Sequence, residues 1–251
     1  MLNYVKAELY KVFHRKYVFI FLLVMFLGET ALCMLWRFSS GNDMVSMDFA
    51  DAVRFLAFLL GMGLYATIIT GDMVFSEQYK HSTLKNEVAY GIPRSRIYVG
   101  KLLAECVLAG ILCVVIIGYY IGLNRILFPQ AGEGDGEAVR WALQALGACL
   151  PLWLASQALF HLFSTLFKST GAAFATVMVY LLLPNVFKIL AVFVNEGFQL
   201  FYEIMLTTQV DVVAGGAISG GVMARCWITG GVWFLGTTVI GNILFRKREI
   251  I

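Results

Sequence analysis

The sequence predicts an all-α polytopic membrane protein with six transmembrane helices, and three observations carry that prediction. Of its 251 residues, 60% are hydrophobic and only 14% charged, at a mean hydropathy of +0.79, which is more apolar surface than a soluble domain of this length can bury. The apolar residues gather into six continuous blocks at about 17–37, 54–75, 97–124, 141–167, 171–194 and 222–245. Each supplies the roughly 20 residues needed to cross a hydrocarbon core of about 30 Å, and their continuity favours helices over the alternating strands of a barrel. Third, the basic residues segregate. In a six-span arrangement thirteen Lys and Arg fall on one side (6, 11, 15, 16, 80, 85, 94, 96, 101, 168, 246, 247, 248) and five on the other (37, 54, 125, 140, 225), so the positive-inside rule puts both termini in the cytoplasm.

Residues 1–16 place Leu2, Val5, Leu9, Val12 and Phe13 at helical spacing, with Asn3, Lys6, Lys11, His14 and Lys16 on the remainder of the wheel. This pattern predicts an N-terminal interfacial helix. The apolar run from Tyr17 to Trp36 is longer than a signal-peptide core and has no A-x-A exit, which makes it a retained first span. Of the outer loops, 39–51 (Asp43, Asp48, Asp51) and 129–140 (Glu133, Asp135, Glu137) read as solvated connectors. The third, 195–221, holds the apolar half-block Phe198, Leu200, Phe201, Ile204, Met205 and Leu206, too short to span and suited to an interfacial or re-entrant helix. Lys168, Ser169 and Thr170 form a tight turn between spans four and five, which contain Pro151 and Pro184.

The polar interruption between spans two and three, Phe75 to Glu105, is the segment with most internal design. Ser82 or Thr83 can cap a helix N-terminus, Leu84 and Val88 share a face, Gly91 can supply a left-handed C-terminal residue and Pro93 forbids continuation. A separately capped helix at about 83–90 is more than a connector needs.

This stretch resembles the second cytoplasmic segment of ABC-2-type transporter permeases. The resemblance rests on Glu77 after span two, the Ser82-Thr83 turn, the short helix Leu84 to Tyr90, the run Ile92-Pro93-Arg94-Ser95-Arg96 and then Lys101-Leu102-Leu103. It departs from the family pattern at Ser82, where glycine is common before the threonine, and at Ile92, where a small residue is usual. The succession of interfacial helix, six spans and half-block is similar across 1–251, a single domain. The resemblance implies that 76–96 is a cytoplasmic coupling segment docking on ABC ATPase subunits through Glu77, Ser82, Thr83, Leu84, Lys85, Glu87, Tyr90, Pro93 and Arg94. It further implies ATP and Mg on that partner, pairing with a second permease (a homodimer or a sister chain), and residence in a bacterial cell membrane. Its implied cargo is an amphipathic peptide, antibiotic or lipid-like molecule, as in antibiotic-peptide immunity. The chain has no phosphate-loop motif of its own: the nearest candidate, Gly100-Lys101, has Leu102 after it and Ser95 where the first glycine should stand.

Ionisable residues within spans are candidates for a translocation path or interface. They are Glu29 in span one, Asp72 near the end of span two and Lys188 in span five, and through them an ion-coupled transporter is the alternative reading. Lys101 and Glu105 stand at i, i+4 and read as an anchoring pair. His161 has no His, Cys or carboxylate one turn away, which argues against metal. A membrane scaffold or intramembrane enzyme is the third class; Ser219 in Ala-Ile-Ser-Gly resembles an intramembrane protease motif, but no histidine follows His161. The five cysteines lie in apolar blocks with no C-x-x-C pair and read as small hydrophobes. A net charge of +3, scattered between blocks, gives no nucleic-acid surface. Gly118, Gly122 and the glycines at 230, 231, 236 and 241 predict close helix packing.

Overall fold

Helices α1 (Leu2–Phe13) and α2 (Lys16–Gly41) begin the chain. The computed structural model describes residues 1–41, 47–80, 83–129, 132–167, 169–216 and 218–247. Helix α3 (Phe49–Arg54) leads into α4 (Leu56–Lys80), followed by the short α5 (Thr83–Ala89) and the long α6 (Arg94–Leu127). The rest consists of α7 (Asp135–Leu166), α8 (Ser169–Phe193), the short α9 (Phe198–Glu203) and α10 (Leu206–Ala214), and α11 (Gly220–Lys247). Six helical stretches are long and apolar enough to cross a membrane, and the described residues contain no strand.

Several helices outrun their apolar blocks, because backbone hydrogen bonding rather than apolarity carries a helix and polar residues can continue it. Helix α4 continues to Lys80, five residues past the predicted end, and α7 starts at Asp135, six before its block. The two outer acidic segments are therefore not plain connectors. Asp48 caps α3 in a reciprocal box with Asp51, and Asp135 opens α7 while pairing with Arg125 at 3.1 Å, both placing carboxylates where helix dipoles favour them. The predicted turn at Lys168 lies outside the described residues, between the adjoining ends of α7 and α8.

Helix α7 is the axis of the bundle: 67% of its most apolar window is buried, against 17–33% for the other five spans. Its sequence explains this. Ala138, Ala142, Ala145, Ala148, Ala155 and Ala158 are all fully or nearly fully buried, and small side chains let neighbouring backbones approach, the main packing device where lipid removes the hydrophobic drive. Helix α11 lies along α7 with Gly230 on the Pro151 backbone, and α4 lies on the opposite flank with Gly63 under Trp153 and Gly71 under Phe160. Among the described residues nothing stands within 4 Å of where a Cβ would be at Gly118, Gly122, Gly231 and Gly236, so the close packing predicted for them is not seen there. Helix α2 packs on α6 through Phe26 and Thr30 against Tyr119, leaving Phe19, Leu23, Leu27 and Phe38 exposed as a lipid-like face.

The half-block 195–221 forms two short helices. Phe201 of α9 stacks on Phe187 of α8; α10 then inserts among α4, α7, α8 and α11. Trp233 and Trp141 indole N–H groups donate to the Ile204 and Gly216 carbonyls and pin the two ends of that insertion.

Candidate functional site

Helix α5 closes as its sequence predicts. Gly91 has φ of 80°; its N–H donates to the Val88 carbonyl and that of Ile92 to the Glu87 carbonyl, the paired bonds of a Schellman stop. Val88 and Ile92 pack beside Tyr4, Ile97, Tyr98 and Phe245, and Pro93 begins α6. A Cβ at position 91 would force a side chain into left-handed backbone. Gly91→Val is therefore expected to loosen α5 by roughly 1–2 kcal/mol, visible as faster amide exchange over 85–92 with the spans unaffected.

Beneath α5 lies a buried charge cluster. The Lys101 ammonium is 0% exposed and stands 3.2 Å from Glu8 of α1 and 3.3 Å from Glu87 of α5. Lys11 approaches the same carboxylates, at 2.7 Å from Glu8 and 3.7 Å from Glu87. The Tyr4 hydroxyl donates to Glu87 at 2.7 Å; burial, reinforced by the carboxylates of Glu8 and Glu87, pushes its phenol up and keeps it a donor. Its ring lies over Gly100, where any Cβ would collide with it, and 5.4 Å from the Lys101 ammonium. Gly100-Lys101 thus seats a tyrosine and joins two carboxylates. The expected Lys101–Glu105 pair does not form, because Lys101 is taken by α1 and α5 while Glu105, one turn deeper, faces α7.

This cluster divides the docking residues named from sequence. Glu87 turns inward, its carboxylate occupied by Tyr4, Lys11 and Lys101. Lys85, Asn86, Ala89 and Tyr90 form the outer surface of α5, with Tyr90 87% exposed. Pro93 is exposed, and Arg94 donates to the Arg246 carbonyl at the end of α11. Glu77 lies on the extension of α4, Thr83 and Leu84 in the first turn of α5, and Ser82 outside the described residues.

The span residues occupy separate settings. Glu29 is buried on α2 with Oε2 unpartnered. Asp72 is half-buried on α4, next to Met73, whose carbonyl accepts from Arg15. Lys188, on α8, lines a cavity of about 360 Å³ shared by α4, α8, α9 and α10, on the side of the bundle away from α5. Tyr65, Tyr180, Asn185, Tyr202 and Asp211 share that wall, and partial burial pushes the Asp211 carboxyl up.

Sequence reasoning missed a polar chain through the core. His161 is not alone: its Nδ1 lies 2.8 Å from Glu105, which also accepts from Gln157 at 3.0 Å, while Gln157 accepts from Thr70 at 2.8 Å. A turn further out, Ser156 bonds Thr67 at 2.6 Å and also meets the Tyr180 hydroxyl. The partners come from α4, α6, α7 and α8, so a search within one helix does not find them. The available signal was two ionisable residues, Glu105 and His161, inside two different apolar blocks.

No group of His, Cys, Asp and Glu able to hold a metal occurs among the described residues. A family model described as ABC-2 family transporter protein matches residues 5–248. No curated protein matches the chain.

Proposed function

This chain belongs to the ABC-2 transporter family, as a membrane permease component, and from that premise we propose that the outer surface of α5 docks on a separate cytoplasmic ATPase. The supporting observation is the division of α5 into two faces. Glu87 and Val88 are committed to the chain's own α1 and α6, while Lys85, Asn86, Ala89 and Tyr90 stand free around an 87%-exposed tyrosine. Aromatic anchors of this kind carry interface energy.

In this reading ATP and Mg bind the partner, and closure of its subunits pushes α5. The push reaches the spans through the buried Lys101, whose links to Glu8 and Glu87 make α1, α5 and the start of α6 move together. Two permeases, alike or sister chains, complete the complex in a bacterial cell membrane, with both termini and α5 in the cytoplasm. The cargo is an amphipathic molecule exported or expelled.

The reading is tested with a Lys85→Glu and Tyr90→Ala double variant. Loss of one aromatic anchor costs about 2 kcal/mol, or roughly thirty-fold in affinity. Recovery of the ATPase with the permease should fall by that order while permease yield and melting stay unchanged. Undiminished recovery contradicts the docking. The alternative of an ion-coupled transporter draws no support from the placement of Glu29, Asp72 and Lys188, which stand on three different helices, α2, α4 and α8.

A further inference from the structure

The outer cavity presents two opposite charges that do not neutralise each other. Lys188 and Asp211 line one wall system, yet neither enters an ion pair among the described residues. A purely anionic ligand would satisfy Lys188 and be repelled by Asp211; a cation would do the reverse, and a neutral ligand would leave both charges unmatched. One ligand carrying both charges satisfies both.

The surroundings narrow the class further. The cavity, about 360 Å³, falls within the range of small-ligand sites. Tyr65 and Leu181 belong both to its wall and to the exposed apolar surface. On α8 that surface continues from Leu181 along one helical face, away from the end of the helix that bears Lys188, to Phe174, 64% exposed. A headgroup in the cavity would therefore have its hydrocarbon chains running along a ready apolar stripe, which a free zwitterion does not use.

We propose that this cavity binds the headgroup of a zwitterionic phospholipid, with Lys188 facing its phosphate and Asp211 its ammonium. Tyr65 and Tyr202 add hydroxyl donors and ring faces suited to phosphate and ammonium respectively. The inference rests on the permease reading for its consequence, since such a site names a lipid-like amphiphile as cargo or as a resident of the path. The binding itself does not depend on an ATPase.

The test is native mass spectrometry of the purified full-length permease, delipidated and given equal amounts of phosphatidylethanolamine, phosphatidylcholine and phosphatidylglycerol. The zwitterionic lipids should be retained over phosphatidylglycerol by about tenfold, the effect of one well-placed charge contact. Asp211→Asn should raise phosphatidylglycerol retention, Lys188→Met should abolish the zwitterion preference, and the exchanged pair Lys188→Asp with Asp211→Lys should restore it. Both positions are exposed, so the variants should keep the wild-type melting profile; the exchanged pair guards against a folding artefact. Equal retention of all three lipids, variants without effect, or equal displacement by soluble glycerophosphoethanolamine would overturn the proposal. Because no ATPase is present, selective lipid retention in a chain that fails to dock an ATPase would leave this site standing and remove the driven-permease reading.

Discussion

Lys101→Met is expected to collapse the contact between α1, α5 and α6. The substitution keeps most of the side-chain volume and removes the ammonium, leaving Glu8, whose side chain is 3% exposed, and Glu87, at 13%, facing each other across a buried gap. Lys11 is half exposed and cannot neutralise both at close range. Removing one partner of a buried ion pair costs about 3–5 kcal/mol, because the cost is that of the stranded opposite charge rather than of the lost attraction. The expected readings are a lowered melting temperature of the purified permease and loss of transport. Glu8→Gln added to Lys101→Met should recover a large part of the stability by removing the repulsion between the two facing carboxylates, and Lys101→Arg should lose less than the methionine variant. If Lys101→Met melts like wild type, the cluster is not holding the three helices together.

Gly230→Leu is expected to break the packing of α11 on α7. A Cβ at position 230 would stand 2.6 Å from the carbonyl carbon and oxygen of Pro151, backbone atoms inside the central helix that have no rotamer into which to retreat. Overpacking typically costs about 1–3 kcal/mol where side chains give way, and here the backbone of the most buried span must give way instead. The expected outcome is a steep fall in monodisperse protein. Gly231→Leu is the matched control: nothing lies within 4 Å of its Cβ position, and the better helix propensity of leucine over glycine, about 0.8–1 kcal/mol, should leave stability unchanged or slightly raised.

The six spans were legible because long apolar runs and segregated Lys and Arg are properties of the chain alone. The same holds for the end of α5: Gly91 and Pro93 act on neighbouring backbone, and the stop they predict is the one observed. The charge cluster and the polar chain were not legible, because their partners come from different helices. The i, i+4 rule joined Lys101 to Glu105, but α1 and α5 offered Lys101 two carboxylates and α7 offered Glu105 a histidine and an amide. Glu8 carried a usable sign: it follows Val5 by three residues and precedes Val12 by four, on the buried stripe of α1, where an acid requires a partner. The inward turn of Glu87 was not legible either, because which way a side chain faces on a two-turn helix depends on what packs beneath it, here Tyr4 and Lys101.

A photo-reactive residue at Tyr90, in membranes from cells that express the permease at native level, tests the docking of α5 most directly. The same label at Leu143, exposed on α7, serves as the control. The predicted result is a crosslink from position 90, and none from 143, to a polypeptide with a phosphate-loop ATPase motif. Transport that continues while position 90 captures no ATPase would contradict it.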